Sequence, residues 1–325
     1  MGRTATVPAY AKVNLTLLVL GKRADGFHEL RTVFQTVALH DTLSFDYEPG
    51  GAPRITLEDP LGLPDNLILR AAQAYAEAVN LRGRLHIRLT KRIPMGGGLG
   101  GGSADAAATL LALPCLTGRR FAVHALAAEL GSDIPFLLEG GTALAFGRGE
   151  ELYPLRTPGC RHVLIAAPGI HVSTPEAYRA LEKPELTELT FTERKPRLET
   201  LRDCVEALSE AKTARNWQAF CENDFEEAVF RRHPKLASIR RVLEKNGAGL
   251  ARMSGSGSSV FGVFPSPSAV QRARIALKDV AAEPTGFLSR AGFRAAWMRA
   301  LRDHREGTAW PPQSRYVSRG SIRAS

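Results

Sequence analysis

Residues 94–105 read Pro-Met-Gly-Gly-Gly-Leu-Gly-Gly-Gly-Ser-Ala-Asp. Glycine lets a backbone turn sharply and approach a ligand closely. Successive N–H groups at the start of a helix, with the positive end of its dipole, hold anions. The stretch therefore reads as a phosphate-binding loop formed by Pro94, Met95, Gly96, Gly97, Gly98, Leu99, Gly100, Gly101, Gly102, Ser103 and Ala104. Ser103 suits either the cap of the following helix or a ligand to a phosphate-bound Mg²⁺. A flexible linker would have the same composition, but not between a strand and a run of strong helix formers. A Walker loop needs Gly-Lys-Ser/Thr, and no lysine precedes Ser103. A dinucleotide fingerprint is formally present at Gly96, Gly98 and Gly101. It requires an acid-ended strand about 20 residues on, where residues 119–129 read as helix. Two further spots carry chemistry. Asp133 follows Gly131-Ser132, a setting in which Asp commonly caps a turn or helix. Lys12 and Asn14 are two apart in a strand pattern and so share a face. That face could be plain solvent-exposed surface.

The elements that must position these groups alternate without strict βαβ order, which argues an α+β fold. Residues 9–20 and 30–46 read as strands, joined by a polar loop with the turn signal Asp25-Gly26. Residues 66–79 have a helical apolar period, and 85–89 alternate as a strand before the glycine loop. Residues 103–113 form an apolar helix expected to stop near Pro114. Residues 121–130 read as helix, 140–149 as strand and turn, and 163–167 as a strand. Residues 196–220 and 225–245 are largely helical. A second Gly/Ser loop at 254–259 precedes a strand at 260–264, and 269–282 reads as helix. From 306 the chain carries Pro311-Pro312 and several arginines without an acid after Glu306. That composition predicts a disordered basic tail whose removal leaves stability and activity unchanged.

The chain has 325 residues, a formal net charge of +10 and 44% hydrophobic residues, enough for two cores. The charge favours anionic partners. Basic residues are scattered rather than interleaved with aromatics, so a nucleic-acid surface is not expected. The four cysteines, Cys115, Cys160, Cys204 and Cys221, form no C-x-x-C pair, and the eight histidines form no zinc pattern. Inert thiols and no protein-bound transition metal are expected. The longest apolar run, 106–116, is too short to span a bilayer, and residues 1–20 lack a signal-peptide pattern. A cytoplasmic protein is expected.

Three stretches together resemble the GHMP kinases. They are Pro94–Asp105, Met253-Ser254-Gly255-Ser256-Gly257-Ser258-Ser259-Val260-Phe261, and Ala9-Tyr10-Ala11-Lys12-Val13-Asn14-Leu15, in family order over about residues 9–300. Two more, Gly21-Lys22-Arg23-Ala24-Asp25-Gly26-Phe27-His28-Glu29-Leu30 and Gly131-Ser132-Asp133-Ile134-Pro135-Phe136, are similar to the branch acting on cytidine-diphosphate-linked methylerythritol. Sugar, homoserine and mevalonate kinases are the neighbouring alternatives, and an inactive nucleotide sensor would be expected to lack Asp133. The resemblance implies a two-domain fold. A ribosomal-protein-like ATP-binding domain would occupy residues 1–158, an α/β sandwich 159–305 and the tail 306–325. It implies transfer of the γ-phosphate of ATP, with Mg²⁺, to the 2-hydroxyl of that small molecule, in the non-mevalonate route to isoprenoid precursors. Asp133 is implied as the base and Lys12 as its partner. Asn14, Phe27, His28, Thr174, Tyr178, Ser254 and Gly255 are implied as substrate contacts, with His28 at the cytosine and Tyr178 a second stacking face. Phe27 stands where the family commonly has tyrosine. No nucleic acid or membrane partner is implied, and a monomer or weak homodimer is expected.

Overall fold

A computed structural model describes residues 2–60, 62, 65–159, 162–210 and 217–316. The first part of the chain runs β1 (Arg3–Lys22), β2 (His28–Pro49), β3 (Arg54–Glu58), α1 (Leu67–Ala78), β4 (Gly83–Thr90), α2 (Gly101–Thr117), α3 (Val123–Leu130), α4 (Ile134–Glu139), β5 (Thr142–Phe146) and β6 (Glu151–Leu155). The second runs β7 (His162–Ala167), α5 (Thr174–Arg179), α6 (Phe191–Glu210), α7 (Phe225–Arg232), α8 (Pro234–Lys245), β8 (Leu250–Met253), β9 (Val260–Phe264), α9 (Pro267–Ala276), β10 (Ala281–Thr285), α10 (Arg290–Ala300), β11 (Arg305–Glu306) and β12 (Gln313–Ser314).

The long β2 organises the first sheet. It pairs antiparallel with β1 along its length, with β4 through residues 42–49 and with β5 through residues 32–35. The order is β3-β4-β2-β5-β6, with β1 also on β2. Against it lies α2, whose Ala and Leu residues are buried all round. A helix apolar on every side belongs inside a core rather than on its surface. The second sheet, β10-β7-β9-β8, is antiparallel throughout and packs on helices of the second part.

The two cores meet at β1. Register shifts fall between Tyr10 and Lys12 and between Asn14 and Thr16. An extra residue in a strand flips which side chains face which way. Val13 and Leu15 accordingly enter the first core, whereas Leu17 and Val19 enter the second. Lys12 and Asn14 lie between the two shifts, and neither is surface polar decoration: Lys12 is 4% exposed.

Several expectations need correction. α2 does not stop near Pro114 but runs to Thr117 and ends on Gly118 in the left-handed region, φ 77°. Pro114 cannot donate to Leu110 O, yet the chain stays helical past it and Gly118 N closes the end on Pro114 O at 3.2 Å. The helix expected over 269–282 ends at Ala276, and Ala281–Thr285 pairs with β7 instead. The 225–245 helix is broken at His233, before Pro234.

The tail is folded as far as Tyr316, so the expectation of disorder from 306 fails for this part. Composition missed its aromatics. Trp310 packs edge-on to Phe293 of α10, at 5.7 Å between ring centroids. The Arg3 guanidinium lies 3.7 Å from the Tyr316 ring centroid. Ser314 Oγ donates to Cys115 O at 2.7 Å in a buried setting. Residues 317–325 lie outside the described residues. So does Cys160, whereas Cys115, Cys204 and Cys221 are buried free thiols.

Candidate active site

β1 delivers Lys12 and Asn14, and the turn before α4 delivers Asp133, to one cavity of about 1130 Å³. Lys12 Nζ lies 3.3 Å from Asp133 Oδ2 and donates to Asn14 Oδ1 at 2.9 Å. Asp133 stands at the N-cap position of α4, yet its side chain makes no cap hydrogen bond. The carboxylate is therefore free to face the cavity beside an ammonium group.

The two glycine loops dock on each other at the same cavity. Ser254 Oγ donates to Gly98 O at 2.8 Å, and Ser259 N donates to Gly97 O at 3.1 Å. Lys12 N donates to Leu99 O at 3.0 Å, which ties the first loop to β1. Gly98 has φ +72°, and a Cβ there would stand 1.9 Å from Ser254 O. Only glycine fits that backbone and that contact. The cap of α2 is Gly100, with φ 69°, rather than Ser103. Ser103 sits within the first turn and lines the cavity together with Gly98 and Gly255. The loop thus opens a buried 17-residue helix toward the cavity, the arrangement that receives phosphate oxygens.

At the other end, His28 stacks on Tyr178 at 4.6 Å with an interplanar angle of 27°. Tyr178 meets Phe225 edge-on at 4.8 Å, which braces it from behind. Burial, followed by the nearby Lys22 charge, pulls the His28 pKa down, so the ring favours its neutral form. Phe27 is 53% exposed and lies under the Arg148 guanidinium, 4.8 Å from its ring centroid. Thr174 Oγ1 is 2.9 Å from Ser256 Oγ, joining α5 to the second glycine loop. Lys12, Asn14, Phe27, His28, Gly98, Ser103, Asp133, Thr174, Tyr178 and Gly255 all line the cavity. Ser254 reaches it through its bond to Gly98 O, whereas the remaining glycine-loop residues form the loop itself without lining the cavity.

Sequence reasoning missed the groups that hold these loops. Asp41, fully buried on β2, accepts from Ile93 N at 2.7 Å and from Lys91 Nζ at 2.5 Å. Lys91 Nζ also donates to Asp105 Oδ2 at 2.9 Å. These bonds fix the chain just before the first loop. Asn223 Nδ2 donates to Met253 O at 2.7 Å and to Gly255 O at 2.9 Å, anchoring the second. A lone acid on a strand or an Asn before a helix gives no sequence signal of such a role, because its partners are distant backbone groups. Among the described residues no group of three His, Cys, Asp or Glu is placed to hold a metal ion. No described helix is long and apolar enough to cross a membrane.

Comparison with known proteins agrees with this arrangement. The GHMP kinases N terminal domain matches residues 66–141 and the GHMP kinases C terminal domain residues 200–282. A 4-diphosphocytidyl-2-C-methyl-D-erythritol kinase of Solibacter usitatus (strain Ellin6076) is 46% identical over 97% of this chain and 98% of its own length. One from Synechococcus elongatus (strain ATCC 33912 / PCC 7942 / FACHB-805) is 39% identical over 87% of this chain and 93% of its own length. A crystal structure of 4-(cytidine 5'-diphospho)-2C-methyl-D-erythritol kinase superposes with a TM-score of 0.72 at 37% identity, covering 88% of this chain and 99% of that one. The chain belongs to the 4-diphosphocytidyl-2-C-methyl-D-erythritol kinases of the GHMP kinase superfamily.

Proposed function

We propose that this protein transfers the γ-phosphoryl group of ATP to the 2-hydroxyl of 4-diphosphocytidyl-2-C-methyl-D-erythritol, in the cytoplasm, as a step of the non-mevalonate route to isoprenoid precursors. The observation that carries this reading is a single cavity. It holds the Lys12–Asp133 pair between a glycine loop and the His28–Tyr178 stack. Phosphoryl transfer needs positioning, charge stabilisation and a base for the hydroxyl proton. Asp133 accepts that proton as the acceptor oxygen bonds to the γ-phosphorus and the bond to the β-phosphate oxygen breaks, releasing ADP. Lys12 pairs with Asp133 and faces the charge developing on the transferred group. The N–H groups of the glycine loop and the start of α2 hold the remaining phosphates. His28, Tyr178 and Phe27 offer flat faces to the cytosine, while Thr174, Ser254 and Gly255 close the wall toward the phosphates.

Ser103 Oγ and the Asp133 carboxylate line the same cavity and are hard oxygen donors, so they fit Mg²⁺. With no cage of three acids among the described residues, they would hold an ion that stays mainly on the nucleotide phosphates and water. When bound it neutralises phosphate charge.

The test is ADP release with four acceptors: the cytidine-diphosphate compound, free methylerythritol, homoserine and mevalonate. Turnover confined to the first is expected. Equal or better turnover of another acceptor would reject the substrate assignment and leave the kinase reading.

A further inference from the structure

We infer that Thr32 is a positioning residue for this reaction, its hydroxyl orienting the Asn14 amide so that the amide oxygen faces Lys12. The inference rests on the kinase reading above. Lys12 Nζ has three donors and no acceptor, so the Asn14 atom 2.9 Å away must be oxygen. The Asn14 NH₂ then points the other way and donates to Thr32 Oγ1 at 2.8 Å. Thr32 can accept because its own proton is committed to Thr16 O, at 2.6 Å. Each hydrogen bond thus fixes the direction of the next, from the Thr16 carbonyl through Thr32 and Asn14 to Lys12 and Asp133.

The row is closed to water. Thr32 is fully buried, and Asn14 is nearly so. It also bridges two strands, since Thr32 lies on β2 opposite Leu17 of β1, just past the second register shift. Without the Thr32 acceptor, a rotated Asn14 amide would set NH₂ against the Lys12 ammonium, donor against donor. Lys12 would lose the contact that aims it at Asp133. Because Thr32 lies behind Asn14 and does not line the cavity, its removal acts only through Asn14 and Lys12, and it leaves the ATP contacts of the glycine loop in place.

The test compares Thr32→Val and Thr32→Ser with the wild type in steady-state assays. Thr32→Val keeps the shape and removes the hydroxyl. Its kcat should fall about tenfold or more, the scale of one hydrogen bond to a charged group, with the KM for ATP within about twofold. Thr32→Ser keeps the hydroxyl and should recover kcat to within about threefold. A Thr32→Val enzyme with normal kcat, or a Thr32→Ser enzyme as slow as Thr32→Val, overturns the inference. If Thr32→Val does not fold, Thr32→Cys, with its weak acceptor, takes its place under the same criteria. Hydrogen exchange of the Asn14 side-chain amide gives a readout independent of the acceptor. Protection in the wild type and its loss in the variant is expected, and equal protection in both overturns the inference. A wild type that fails to phosphorylate the cytidine compound would instead reject the function, leaving this exchange comparison to decide the role of Thr32.

Discussion

Asp133 occupies the N-cap position of α4 but leaves that helix uncapped, and its Oδ2 lies 3.3 Å from the buried Lys12 Nζ. Capping by an acidic side chain is worth about 1 kcal/mol to a helix. A carboxylate that forgoes it is held for another purpose. Asp133→Asn keeps the shape and removes the base. It should lower kcat by at least about a hundredfold, the lower range of general-base effects. Separate titrations should find both ligands bound nearly as before, while the melting temperature should fall, since the buried Lys12 loses its counter-charge although no cap bond is lost. Near-normal turnover would exclude Asp133 as the base.

Gly98→Val should abolish tight ATP binding. The new Cβ would meet Ser254 O at 1.9 Å and adopt φ +72°, a region that β-branched residues do not accept. The Ser254–Gly98 contact makes the two glycine loops one unit. Binding of the cytidine substrate should therefore weaken as well, although less than that of ATP. Unchanged ATP affinity in a titration would remove this loop from the phosphate site.

The parts of the site legible in the sequence were those with local signatures. Six glycines before an apolar helix point to an anion site by composition, whereas the spacing of Lys12 and Asn14 gives only a shared face and their roles came from the family resemblance. Residues such as Asp41 and Asn223 act on backbone groups 52 and 32 positions away, respectively, and no local pattern encodes that. Helix ends failed for a related reason. Pro114 signals a stop, but Gly118 four residues on can take the left-handed conformation that terminates α2. The tail failed because a count of charges does not see Trp310 and Tyr316 finding partners on α10 and β1.

His28→Ala should weaken the cytidine substrate by roughly ten- to a hundredfold, the range implied by losing one stacking face. ATP affinity should be unchanged, because the glycine loop lies at the other end of the cavity. Tyr178→Ala should act in the same direction, and it also uncovers Phe225, on which Tyr178 rests. Calorimetric titration of each ligand separates the outcomes. A His28→Ala enzyme that loses ATP and keeps the cytidine substrate would show that the loop has been assigned to the wrong ligand.

The Asp41–Lys91–Asp105 cluster should make stability depend on pH. Burial pushes the Asp105 carboxyl up, to about 7; Lys91 opposes this and Asp41 adds to it. Unfolded, the group titrates near about 4. Between those values the folded state binds the extra proton, so stability is full below the unfolded value and is lost as pH rises toward 7. Asp105→Asn cannot titrate and should remove that part of the slope. Urea unfolding at pH 5 and pH 7.5 on both proteins measures it. Equal pH dependence in the two would mean that Asp105 is ionised throughout.

Truncation after Gly307 should lower the melting temperature while sparing turnover. The removed segment carries Trp310 against Phe293, Ser314 on Cys115 O and Tyr316 beneath Arg3. Burying most of one large aromatic contributes roughly 1.5–3 kcal/mol. In a chain of this size that corresponds to a fall of about 2–4 °C. The contacts fall on the last turn of α2, at Cys115, and on the start of β1, where His304 Nε2 also lies 2.7 Å from Thr4 O. The glycine loop is at the opposite end of α2, about 25 Å away by the rise of a 17-residue helix. Lys12 lies further along β1, beyond its first register shift. Well below the melting point, kcat and both KM values should therefore match the full chain. Trp310→Ala should reproduce part of the loss and separates the aromatic contact from the hydrogen bonds. A truncated enzyme that melts with the full chain would show that this segment packs without stabilising, and one that folds normally but loses kcat would place it in the catalytic machinery.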